Sequence, residues 1–129
     1  MATEKFVTAI NCIDGRVLIP VINWLKASCD AEFVDHITEP GADKALAGGS
    51  ADLLEAIKQK VLISVNAHNS KTVAVVGHHD CAAHPVSEAQ HKQDIVEAMA
   101  TVKSWNLPIQ VVGLWVNSEW QVEVVSPAA

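Results

Sequence analysis

The chain contains no tyrosine, a single arginine, only three cysteines and no apolar run of membrane-spanning length. Nine Lys+Arg stand against fifteen Asp+Glu, for a net charge of -6, and no run of like charge exceeds two residues. A shortage of positive charge this marked excludes nucleic acid as the main partner. The longest apolar stretches, such as 111–116 with Gly113 inside, fall far short of the ~20 residues that cross a bilayer, so no membrane association is expected. Three cysteines are an odd number and too few for a disulfide scaffold, which directs attention to metal binding or nucleophilic chemistry. The start of the chain carries Glu4 and Lys5 and lacks the charged-then-apolar pattern of a secretory leader, so a cytoplasmic, reducing setting is expected. What is present is apolar: half of the 129 residues are hydrophobic, which predicts one domain over 1–129 around one core.

Strand-length apolar runs alternate with segments of helical period, the signature of a largely parallel sheet between helices. Residues 6–10 predict a first strand, and Val17, Leu18, Val21, Ile22 and Leu25 recur at helical spacing, with Pro20 in the first turn where proline is tolerated. A strand over 32–37 leads into 38–50, which holds Pro40, Gly41, Gly48 and Gly49 and reads as a loop. Leu54, Ile57, Val61 and Val65 predict a helix over 51–68. The β-branched run 72–76 predicts a central strand covered on both faces and closed by Gly77. Ser87 and Gln90 form a capping-box pattern opening a helix whose stripe is Ile95, Met99 and Val102, continuing to about Trp105. Residues 109–116 and 120–125 predict a fourth strand and an antiparallel edge strand. The expected fold is therefore a three-layer α/β architecture: four mainly parallel strands plus a C-terminal antiparallel edge.

Two reactive clusters leave the carboxyl ends of strands one and three: Cys12-Ile13-Asp14-Gly15-Arg16 and His78-His79-Asp80-Cys81. If these strands are neighbours, the clusters meet at the switch point where such sheets bind ligands. Two thiolates and an imidazole suit Zn²⁺, and three protein ligands leave a fourth position for water, a catalytic arrangement. Composition alone gives Cys-x-Asp-x-Arg in about one such chain in a thousand, which argues against coincidence. Gly15 would allow a tight turn between Asp14 and Arg16. Cys29 has no ligand-type neighbour at metal spacing and is expected to be a buried or inert thiol. His79 and His84 flank the second cluster as candidate proton relays, although the ordinary role for each is an exposed loop histidine, as it is for His36, His68 and His91. Trp115 and Trp120 could wall a pocket but are expected to cover a sheet edge or fill a subunit interface.

These motifs resemble those of the β-class carbonic anhydrases, whose zinc site combines Cys-x-Asp-x-Arg with a later Gly-His-x-Asp-Cys, here Gly77-His78-His79-Asp80-Cys81. The resemblance implies Cys12, His78 and Cys81 as zinc ligands and Asp14 with Arg16 as a catalytic dyad. It also implies a small, prokaryotic-type member that hydrates carbon dioxide reversibly to bicarbonate. A zinc hydrolase of carbonyl sulfide or carbon disulfide would share the metal motif, and a non-catalytic zinc-binding module is the reading from another class. The chain departs from the family pattern in having eleven residues before Cys12, no arginine beyond Arg16, no glutamine before Gln59 and Ala82 where glycine is usual. A homodimer or higher homo-oligomer that covers the apolar sheet edge is expected.

Overall fold

The computed structural model describes residues 5–125; the reading of the first residues as free of a leader falls largely on residues outside that range. The elements run β1 (Phe6–Asn11), α1 (Leu18–Cys29), β2 (Phe33–Thr38), α2 (Ala42–Gly48), α3 (Ala51–Ala67), β3 (Thr72–His78), α4 (Glu88–Lys103), β4 (Gln110–Val116) and β5 (Val122–Val125). They form one five-stranded sheet in the order β2-β1-β3-β4-β5, parallel except for the β4–β5 pair. All seven residues of β3 are buried, which is why its sequence is a continuous apolar run rather than an alternation.

Both faces are covered. Val7, Ala9, Ala74, Val76 and Leu114 pack against Val21 and Leu25 of α1. On the other face Ile10, Val73, Val75 and Trp115 pack against Leu46 of α2, Ile57 and Val61 of α3, and Ile95, Ala98 and Met99 of α4. Helix α4 lies close to the sheet because two glycines lie beneath it: a Cβ on Gly113 would fall 2.6 Å from Met99 Sδ and 2.7 Å from Ile95 Cγ2. Ser50 and Ser87 cap α3 and α4 through side-chain oxygens that accept from the Leu53 and Gln90 amides. The reciprocal arm of the capping box is absent, because the Gln90 side chain donates to Asp94 Oδ1 instead.

Three expectations need correction. Residues 38–50 are not all loop, since Ala42–Gly48 is helical, opened by Gly41 at φ +59° and anchored by buried Ala42, Asp43, Ala45 and Leu46. The last strand begins at Val122 rather than at Trp120, which sits at φ +60° in a turn closed by its amide donating to the Asn117 carbonyl. Trp115 is a core residue, 2 % exposed, rather than an edge or interface residue. The tight turn expected at Gly15 is present, closed by the Val17 amide donating to the Asp14 carbonyl at 3.1 Å, although Gly15 is not in the left-handed region and a Cβ there would meet nothing within 4 Å.

Candidate metal centre

Parallel pairing of β1 with β3, through Thr8–Val73, Ala9–Ala74 and Ile10–Val75, sets the carboxyl ends of both strands side by side. Cys12 leaves the first, His78 ends the second and Cys81 follows in the turn. One ligand atom from each of the three lies within 4.8 Å of the others, and all three residues are buried. Asn11 steadies the first turn: its Nδ2 donates to the Cys12 carbonyl at 2.9 Å, and its Oδ1 accepts from His36 Nδ1 at 2.7 Å. His78 Nδ1 donates to the His79 carbonyl at 2.7 Å, and Nε2 is buried without a hydrogen-bond partner among the described residues. An imidazole fixed through one nitrogen and bare at the other is oriented as a metal ligand is. Burial, and then the neighbouring Cys12, push the Cys81 thiol above its ordinary value, so a cation there takes up thiolates by displacing protons. The donor set, two sulfurs and one nitrogen, fits zinc.

Asp14 and Arg16 form a fork-to-fork pair. Arg16 Nε donates to Oδ1 at 3.0 Å, Nη2 donates to Oδ2 at 2.7 Å, and the Arg16 amide donates to Oδ1 at 2.9 Å. Those bonds hold the Asp14 carboxyl down at about 2, against an ordinary 3.8. The guanidinium is itself held from outside: Nη1 reaches Asp80 Oδ2 and Nη2 the Asp80 carbonyl, both at 3.3 Å, and its carbon lies 4.5 Å from the centre of the Trp120 ring. Asp80 and Trp120 both have positive φ, 57° and 60°. Non-glycine residues rarely adopt that conformation unless their surroundings hold them there.

Of the two relay candidates, His79 is exposed and lies edge-on to Trp120, with ring centroids 6.3 Å apart. His84 is not an exposed loop residue; it is buried, with Nε2 2.5 Å from Asp94 Oδ2. Nor is His91 exposed: it is 1 % accessible and bonded through Nδ1 to Asp43 Oδ2 at 2.6 Å. His36 is partly buried and His68 bonds Asp35. Cys29 is half-buried at the end of α1, at the opposite end of the strands from Cys12 and Cys81. Sequence reasoning missed the Asp43, His84, His91 and Asp94 group, although one signal was available. His91 stands four residues before Ile95 and continues the buried stripe of Ile95, Ala98, Met99 and Val102.

A doubly wound α/β sheet with a thiol and imidazole group at the β1–β3 switch point, beside an Asp–Arg pair, is the architecture of the β-carbonic anhydrases. Residues 2–126 match the family described as "Putative carbonic anhydrase", and the chain belongs to that family. β-Carbonic anhydrase isoform I of Trichomonas vaginalis superposes with a TM-score of 0.61 at 14 % identity, over 100 % of this chain and 87 % of that one. The carbonic anhydrase of Glaciozyma antarctica gives 0.54 at 17 % identity, over 98 % and 85 %. A tetrameric β-carbonic anhydrase of Sordaria macrospora gives 0.50 at 12 % identity, over 100 % and 84 %. At these identities the likeness concerns the fold. No curated protein matches the chain.

Proposed function

We propose that the protein is a zinc-dependent carbonate dehydratase that interconverts carbon dioxide and bicarbonate. The observation that carries this reading is the buried Cys12, His78 and Cys81 group, which stands beside a carboxylate locked by Arg16. Cys12, His78 and Cys81 would hold the ion, which when bound supplies a water acidic enough to act as nucleophile near neutral pH. Two thiolates and a neutral imidazole cancel the charge of the ion, so neighbouring residues must help generate and aim the nucleophile. Asp14 stays ionised and presents an acceptor that orients the attacking oxygen toward the substrate carbon. Arg16 keeps that carboxylate engaged and away from the metal ligands. Exposed His79 passes the proton to solvent.

The active form in this reading is a homodimer or higher homo-oligomer, supported by the exposed apolar side chains of Ile13 and Ile19, 65 % and 67 % accessible, close to the site. The three cysteines, none of them in a disulfide, suit a reducing, cytoplasmic compartment. No helix among the described residues is long and apolar enough to cross a membrane.

The test is metal analysis of the purified protein combined with stopped-flow hydration assays of wild type and Cys12→Ser. Thiolate-bound zinc and hydration lost with the thiol are expected; full activity in zinc-free protein would overturn the proposal. Hydrolysis of carbonyl sulfide without hydration of carbon dioxide would overturn the substrate and leave the zinc centre standing.

A further inference from the structure

Behind the metal centre lies a second group that the proposed reaction does not use. Asp43 comes from the first turn of α2, His84 from the segment between β3 and α4, and His91 from α4; they are 1 %, 9 % and 1 % exposed. One ligand atom from each lies within 4.8 Å of the others, the same criterion that Cys12, His78 and Cys81 meet. We infer that Asp43, His84 and His91 form a thiolate-free binding site for a second divalent cation of the zinc, cobalt or manganese type.

The orientation of the imidazoles supports this. Asp94 Oδ2 holds His84 at Nε2, and the other Asp94 oxygen accepts from Gln90 Nε2 at 2.9 Å. A carboxylate that fixes one ring nitrogen and is itself anchored is the usual support of a metal-binding histidine, and it leaves Nδ1 for the ion. Asp43 differs: its Oδ2 lies 2.6 Å from His91 Nδ1, so an ion there would take that nitrogen and the carboxylate together, the proton between them leaving to solvent. The two rings meet edge to face with centroids 4.8 Å apart.

Charge points the same way. Asp43 and Asp94 are two buried carboxylates, and among the described residues no lysine or arginine pairs with either. A divalent cation held by neutral imidazoles supplies both positive charges at once, and buried charge is tolerated when it is paired or coordinates a metal. Nitrogen and carboxylate donors favour borderline cations over calcium or magnesium. The surroundings are rigid: a Cβ on Gly77 would fall 2.8 Å from Asp43 Oδ2, and one on Gly41 would touch the Cβ atoms of Ala83 and His84. Because the donors of this group already bond one another, the site should fill after the thiolate centre and only when metal is supplied in excess.

Cobalt(II) separates the two sites, because thiolate ligation gives an intense near-ultraviolet charge-transfer band that nitrogen and oxygen ligation does not. Titrated with cobalt, the metal-free wild type should take up two equivalents, the second adding only weak visible bands. His91→Gln should stop at one equivalent and keep the thiolate band, while Cys12→Ser with Cys81→Ser should bind one equivalent without it. Saturation of wild type at one equivalent, or a second equivalent retained in His91→Gln, would overturn the inference. If the double serine variant fails to fold, the comparison of wild type with His91→Gln decides alone. The inference does not rest on the proposed reaction: failure of the thiolate centre would appear as a missing charge-transfer band, with the second site still filling.

Discussion

Arg16 touches four groups: both oxygens of Asp14, the carboxylate and the carbonyl of Asp80, and the face of Trp120. If its task is to keep Asp14 off the metal, Arg16→Ala should leave zinc content unchanged while turnover falls on the order of 100-fold, the scale of a lost acid–base group. X-ray absorption should then show a carboxylate oxygen at zinc. Arg16→Lys should recover only part of the activity, since an ammonium lacks the planar fork. Trp120→Leu should weaken the same restraint and Trp120→Phe restore it, because a phenyl face still attracts the guanidinium. Zinc coordination and hydration rate measured on all four variants check this; full activity in Arg16→Ala would make Arg16 a surface residue.

Asp14 also has a signature in stability. Its folded value, about 2, lies below its ordinary 3.8, so its contribution is fully present above about pH 4 and is lost as pH falls through about 2. Urea denaturation of metal-free wild type and Asp14→Asn should show a constant stability gap above about pH 4 that closes toward pH 2. A gap independent of pH over that range would mean that the pair contributes nothing through ionisation. Cys12, Asp14 and Arg16 were legible because they are local in the chain. Asp43 and His91 were not, since they meet only through the packing of α2 on α4.

At the scale of elements, the contact of α4 with β3 and β4 depends on Gly77 and Gly113. Gly113→Ala places a methyl group against Met99, Ile95 and, at 3.3 Å, the Val125 carbonyl. The expected cost is about 1 to 3 kcal/mol, read as a lower urea midpoint at unchanged slope. Pairing this variant with Met99→Ala should recover part of that cost, because the added methyl then has room. The principal strands and long helices were legible from periodicity, with boundaries displaced by one or two residues. Helix α2 was not: seven residues between Gly41 and Gly49 are too few to display a period, and Pro40 and the glycines read as loop. The early start assigned to the last strand has a similar cause, because alternation from Trp120 onward conceals the positive φ of that residue.

For the whole molecule, the parallel neighbourhood of β1 and β3 has a kinetic consequence. Cys12 and Cys81 stand about half the chain apart, and no hairpin or single helix can bring them together; only the non-local β1–β3 pairing does. Contacts of that span are costly to close and form late on the way to the native state. If zinc is the ion that Cys12, His78 and Cys81 hold, it cannot find that cradle in a chain that is still folding and would act as a latch on a finished structure rather than as a nucleus. Stopped-flow measurements with and without zinc should show refolding rates that agree within about twofold, while unfolding slows by tenfold or more. Refolding accelerated in proportion to zinc concentration would mean that the cradle assembles early. With a latch of this kind, lifetime in a cell that runs short of zinc would be governed by how fast the protein opens rather than by how readily it folds.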